Sequence, residues 1–228
     1  MKRLVRMAAA ALLLALPCPA LAQESSATVP ADDFQSESLP LFDGQSLAGW
    51  EGNAYWFRIE PDTVNGNSIV AGRLDEKIPH NEFLCTTQNY DNFELRYEVK
   101  LVGEGKNAGV QFRSKRVSDS TEVSGYQADA GEAWNRPVWG ALYDESRRKK
   151  MLAEGDKDAV VKLVKKDDWN SLRVICRDKH IQIYLNGEKT VDYTEEDDSI
   201  PTFGLIGLQI HSGPPTEAWY RNIRVRQL

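Results

Sequence analysis

The chain has 228 residues and carries 28 Lys and Arg against 34 Asp and Glu, a formal net charge of −6. That balance argues against a nucleic-acid partner, because phosphate binding needs a basic surface. It leaves neutral ligands such as sugars open.

The chain opens "MKRLVRMAAAALLLALPCPALAQ". Lys2, Arg3 and Arg6 form a basic start, an apolar run from Met7 to about Leu16 follows, and Ala20-Leu21-Ala22 closes it. This is the order of a secretory signal peptide, with cleavage expected after Ala22 and delivery to the periplasm or the medium. The apolar run is too short to span a bilayer comfortably, and no later stretch is apolar enough to do so. Cys18 follows Pro17, which fits a lipoprotein signal poorly. Residues 23–38 are rich in Ser, Glu and Asp and read as a disordered leader. Residues 39–228 remain as one domain with room for a sizeable core.

That domain alternates with period 2. "FRIEPDTVNGNSIVAG" reads as a structural pair of runs around an Asn65-Gly66 turn. "NFELRYEVKL" sets Phe93, Leu95, Tyr97 and Val99 on one face and Glu94, Arg96, Glu98 and Lys100 on the other. "NAGVQFRS" separates Ala108, Val110 and Phe112 from Gly109, Gln111 and Arg113. "SGYQADAG" separates Tyr126, Ala128 and Ala130 from Gln127 and Asp129. The charged segment from Asp144 to Val161 has weak periodicity and reads as a long loop with a helical turn or two, an insertion near 144–160. Trp169 is expected in the core. Asn186-Gly187 marks a hairpin between Ile181–Leu185 and Glu188–Tyr193. "GLIGLQIHSG" turns Ile206, Leu208 and Ile210 inward and Gly207, Gln209 and His211 outward, and "AWYRNIRVRQL" closes the chain as a last strand. About a dozen short strands with regular turns predict an all-β, two-sheet antiparallel sandwich.

Beyond the signal, Cys85 and Cys176 sit at apolar-face positions of strand-like runs and read as buried thiols in preference to a bridge. There is no CxxC and no Cys/His cluster of the kind that holds zinc. His80 and His180 read as loop and turn residues. The acidic run Glu195 to Asp198 lacks the spacing of a calcium loop and reads as a solvated turn.

Three strands bring polar residues to what can be one sheet face: Asn107, Gln111 and Arg113; Gln127 and Asp129; Gln209 and His211. Trp134, Trp139 and Tyr143 follow and can wall it. Amides, a forked guanidinium and aromatic plates suit a sugar ring, whose hydroxyls need directed partners and whose C–H faces need flat apolar surface. An antiparallel sheet with one wet face alternates in the same way without any ligand, and that reading stands beside the first. Gly109, Gly125, Gly131, Gly207 and Gly213 flank these positions, which favours open space above the floor. Neither a GxSxG elbow nor a P-loop is present. Glu94 and Glu98, with Arg96 between, read as a solvated row, so a direct two-carboxylate glycosidase finds no support.

The order "LPLFDGQSLAGW", "NFELRYEVKL", "NAGVQFRS", "SGYQADAG", "WGALYD", "DDWNSLRVICRDKHIQIYLNG", "GLIGLQIHSG", "WYRNIRVRQL" resembles the 3-keto-disaccharide hydrolase-like domain family over about residues 39–228. The resemblance implies a concanavalin A-like jelly roll, as in the sandwich glucanases. It also implies glycosides oxidised to a ketone at sugar carbon 3 as substrates, cleaved by elimination and hydration. On the matching motifs, Asp129 becomes the base or a metal ligand, His211 its acid/base partner, and Lys165 a charge stabiliser. Arg113 and Gln127 become holders of the ketone and hydroxyls, with Gln111, Gln209, Tyr143 and Trp139 as further substrate contacts. A divalent cation on Asp129 and His211 is compatible with that set. The family pattern carries Glu where this chain has Gln127, so a carbohydrate-binding module without turnover is the alternative.

Overall fold

The computed structural model describes residues 33–62 and 66–228. The expected signal peptide, the expected leader up to residue 32 and Asn65 of the expected turn lie outside the described residues. In chain order the elements are α1 (Phe34–Glu37), β1 (Leu39–Pro40), β2 (Trp50–Glu51), β3 (Phe57–Asp62), β4 (Gly66–Arg73), β5 (Glu82–Thr86), β6 (Phe93–Gly103), β7 (Asn107–Arg116) and β8 (Val123–Ala133). There follow β9 (Arg136–Pro137), β10 (Leu142–Glu145), β11 (Lys150–Ala153), α2 (Lys157–Leu163), β12 (Asn170–Arg177), β13 (His180–Leu185), β14 (Glu188–Thr194), β15 (Leu205–Ile210) and β16 (Thr216–Gln227).

The strands form two antiparallel sheets. The first runs β14-β13-β12-β6-β16-β4-β3, with β1 on β16; the second runs β11-β10-β8-β7-β15-β5-β2, with β9 on β8. The alternation of the sequence explains both. Phe93, Leu95, Tyr97 and Val99 of β6 face Val110 and Phe112 of β7, Ala128 of β8 and Leu208 of β15 in one core. Phe93 meets Phe112 edge-on at 6.3 Å, and Phe112 stacks on Tyr126 at 5.7 Å. Burying each such large side chain stabilises the fold by about 1.5–3 kcal/mol. At the β13–β14 turn Asn186 and Gly187 have φ of 49° and 95°, the left-handed pair of a tight hairpin.

Several expectations change. The segment after Leu142 is a β10–β11 hairpin followed by the two turns of α2, capped by the Asp156 side chain on the amide of Ala159. Residues 33–38, expected to belong to the leader, carry the short helix α1. Phe34 of α1 is buried, with Arg96 4.0 Å from its ring centroid, and Arg226 pairs with Asp33 and Glu37. Glu94 is a buried carboxylate rather than a solvated one, ion-paired with Arg96, Arg173 and Arg226 on the outer face of the first sheet. Trp169 lies on that same outer face, against Arg221 and Lys100. Glu195 is buried and accepts from Tyr126 and Arg148. Cys85 and Cys176 are both free and buried. Cys176 belongs to the main core, whereas Cys85 packs with Phe83, Val123 and Leu205 in a second cluster. Burial pushes both thiols up, to about 12 and about 11.

Candidate functional site

The second sheet carries the polar residues on the face turned away from the core. Register sets them in rows. Asp129 of β8 lies opposite Gly109 of β7, which lies opposite Gln209 of β15. Gln127 lies opposite Gln111, and Gln111 opposite Gly207. On the other side of β8, Tyr143 of β10 pairs with Gln127 and Glu145 with Gly125. Cross-strand partners share a face, so one surface carries Tyr143, Glu145, Gln127, Asp129, Gln111 and Gln209.

These side chains form a connected chain of hydrogen bonds. The Ser114 hydroxyl donates to Gln111 Oε1 at 2.8 Å, Gln111 Nε2 to Gln127 Oε1 at 2.7 Å, and Gln127 Nε2 to Asp129 Oδ1 at 2.7 Å. Gln127 lies flat across β7 because Gly109 has no side chain; a Cβ there would meet it at 2.7 Å. Gly109 therefore makes room for an amide of the protein itself, which replaces the expectation of open space at that glycine. Beneath the row, the Tyr220 hydroxyl reaches up from the first sheet to the carbonyls of Gln209 at 2.7 Å and Gly109 at 3.1 Å.

Asp129 is 6% exposed. Burial, with some repulsion from Glu145, raises its carboxyl to about 8, against the pull of the Gln127 hydrogen bond and the Arg136 charge. Glu145 is also raised, first by burial and then by Glu122, with the His211 charge and Gln209 pulling it back. Two carboxyls inclined to hold a proton thus sit in one electrostatic neighbourhood with His211. Gln209 is fully buried and makes one long bond from Nε2 to Glu145, at 3.4 Å, while its Oε1 has no partner. A buried acceptor without a partner costs free energy. His211 is half-buried, and its Nδ1 lies 2.7 Å from the carbonyl of Ser212. Donation there leaves Nε2 as the unprotonated nitrogen of the neutral ring.

The structure brings together Asp129, Gln127, Gln111, Gln209 and Tyr143, with His211 at the end of β15. It does not bring Arg113, Lys165 or Trp139 with them. Arg113 is the bulge residue of β7, with φ of 47°, where the register slips between Phe112 and Lys115. Its guanidinium donates to the carbonyls of Asp91 and Asp178 and to the Asn92 side chain, tying the second sheet to turns of the first. Trp139 is buried in the core. With exposed Lys165, it lines a separate cleft of about 100 Å³ that Gly131, Glu132 and Asn170 share. Asn107 is spent on the carbonyl of Glu132. Glu145 is hidden in the sequence because its charged segment has weak periodicity and reads as a loop. The alternation Tyr143, Glu145 in "LYDE" was the signal for it. Among the described residues, no group of three His, Cys, Asp or Glu side chains is arranged to hold a metal ion, and Asp129 and His211 alone make a thin ligand set.

Residues 37–226 match the model of the 3-keto-alpha-glucoside-1,2-lyase-like domain. No curated protein matches the chain. Among solved structures, two candidate glycosyl hydrolases of Parabacteroides distasonis share the fold. One is 23% identical with a TM-score of 0.57, over 84% of this chain and 99% of that one. The other is 17% identical with a TM-score of 0.61, over 88% and 98%. The carbohydrate-binding module CBM66 of Bacillus subtilis superposes with a TM-score of 0.52 at 15% identity, over 78% of this chain and 96% of that one.

Proposed function

Because the chain belongs to the 3-keto-alpha-glucoside-1,2-lyase-like domain family, we propose that it is an exported enzyme cleaving 3-keto-glycosides on the Asp129 face. The observation that carries this reading is the buried Asp129 carboxyl, raised to about 8 and fixed by Gln127. A ketone at sugar C3 acidifies the C2 hydrogen, and a base poised near ambient pH suits its removal. Asp129 takes the C2 proton. The freed electron pair forms the enolate and then the C1=C2 bond as the C1–O bond breaks. The aglycone leaves with that bond's electron pair and takes a proton from Glu145, which burial inclines to hold one. Water then adds hydroxyl at C1 and hydrogen at C2, restoring the 3-keto sugar. The amide row fixes the direction of the Asp129 carboxyl before substrate arrives, so the base needs little rearrangement.

The test is aglycone release from a 3-keto-glucoside and from its unoxidised parent. Release from the first alone, lost in Asp129→Asn, is expected. Release from neither sinks the reaction. Saturable binding of the 3-keto sugar without product establishes the second reading, a carbohydrate-binding module, which the amide at position 127 and the CBM66 fold likeness favour.

A further inference from the structure

Trp134 is the anomaly of the second sheet. It is 64% exposed, the most exposed tryptophan among the described residues. It also sits where a large side chain is least welcome. Ala133 pairs with Arg136, so Trp134 and Asn135 are the two residues of the β8–β9 turn, with φ of 50° and 58°. Left-handed backbone at both positions suits Asn and Gly, and a bulky residue there is strained. Strain of this kind persists where surrounding structure holds it, and it concentrates at functional sites. The ring is aimed. Its centroid lies 6.0 Å from that of Tyr143, tilted by 50°, and Tyr143 is the strand neighbour of Gln127. On the same turn Arg136 stands 5.6 Å from the indole, is ion-paired with Glu154, and is near enough for its charge to act on Asp129.

We propose that Trp134, Tyr143 and Arg136 form a second sugar subsite beside the Asp129 row, holding the departing half of a disaccharide. The indole offers a flat apolar surface to the C–H face of a pyranose, and the Arg136 fork and the Tyr143 hydroxyl offer directed partners to its hydroxyls. This assignment rests on the carbohydrate reading above and deepens it: the substrates are glycosides whose aglycone is itself a ring.

Calorimetric titration of unoxidised glucose disaccharides of each linkage, and of the two methyl glucosides, tests it in the full chain. Wild type is expected to bind at least one disaccharide about tenfold more tightly than the matching methyl glucoside, the size of an aromatic contact in a half-wet site. Trp134→Ala is expected to abolish that difference and Trp134→Phe to retain most of it. Phe203→Ala, which removes another exposed ring elsewhere, is expected to leave it unchanged. Trp134→Gly is expected to hold or raise the melting temperature while losing the preference, because it relieves the left-handed backbone. Equal preference in wild type and Trp134→Ala, no preference in wild type, or a melting temperature lowered by Trp134→Gly overturns the proposal. Aglycone release from 3-keto-glucosides, assayed in parallel, separates the two readings. A Trp134-dependent preference without release sinks the reaction alone, and release without the preference sinks the subsite alone.

Discussion

Asp129 concentrates the chemistry of this face in one ionisation. Asp129→Asn is expected to lower kcat on a 3-keto-glucoside by at least about a hundredfold, the usual contribution of a general base. The same variant is expected to be more stable than wild type. A carboxyl whose folded value is raised favours the protonated fold, so its contribution is complete below the unfolded value near 3.8 and is lost as pH rises through about 8. The stability gain of Asp129→Asn should therefore grow from pH 4 to pH 8 and level off beyond, which melting temperatures across that range will show. In wild type, kcat/KM should climb tenfold per pH unit up to about 8 and then flatten; a profile already flat at pH 6 assigns the base elsewhere.

At the scale of strands, much of this face was legible in the sequence. Period-2 alternation in β7, β8 and β15 places Gln111, Gln127, Asp129 and Gln209 together, and hydrogen-bonded register confirms it. What escaped has physical causes. A single extra residue in β7 reverses the direction of Arg113, and no local pattern announces a bulge whose reason is a set of carbonyls on the other sheet. Arg113→Ala is accordingly expected to cost about 3 kcal/mol in chemical unfolding, since the buried guanidinium that ties these turns together is lost, while KM for a 3-keto-glucoside holds in the folded protein. Glu145 was hidden by the charged run that surrounds it. Arg147 and Arg148 look like solvent-facing residues, yet both pair with buried Asp144 and let β10 form. Gly109→Ala tests the row directly. Its methyl displaces Gln127, and sugar affinity is expected to fall about tenfold with the loss of two buried hydrogen bonds.

The whole molecule is two sheets tied at more than their apolar core. Tyr126 and Arg148 of the second sheet and its hairpin converge on Glu195, just past the end of β14 in the first. Burial opposes its charge, yet the Arg148 and Tyr126 bonds hold Glu195 down at about 2. A depressed carboxyl stabilises above its unfolded value near 4.5, and that support is lost as pH falls towards 2. Glu195→Gln should thus cost about 2–3 kcal/mol at pH 7, and the difference from wild type should shrink in urea titrations repeated at acid pH. The sandwich itself followed from alternation and turn chemistry. The clasp of Phe34 by Arg96 and Arg226 did not, because a six-residue polar stretch with one aromatic carries no periodic signal.

The line from Ser114 through Gln111 and Gln127 to Asp129 has a direction. Ser114 gives the first hydrogen, Gln111 and Gln127 each take one from behind and give one forward, and Asp129 only receives, so neither amide can turn over alone. The floor is in effect a compass needle pointing at the carboxyl, set before any sugar arrives. Its positive ends favour the charged form that burial resists, and the two influences leave Asp129 able to change state within the ordinary range of pH. A change of state there is felt along the needle's full length. The C=O stretch of isotope-labelled Gln111, two links away, should therefore register the titration of Asp129.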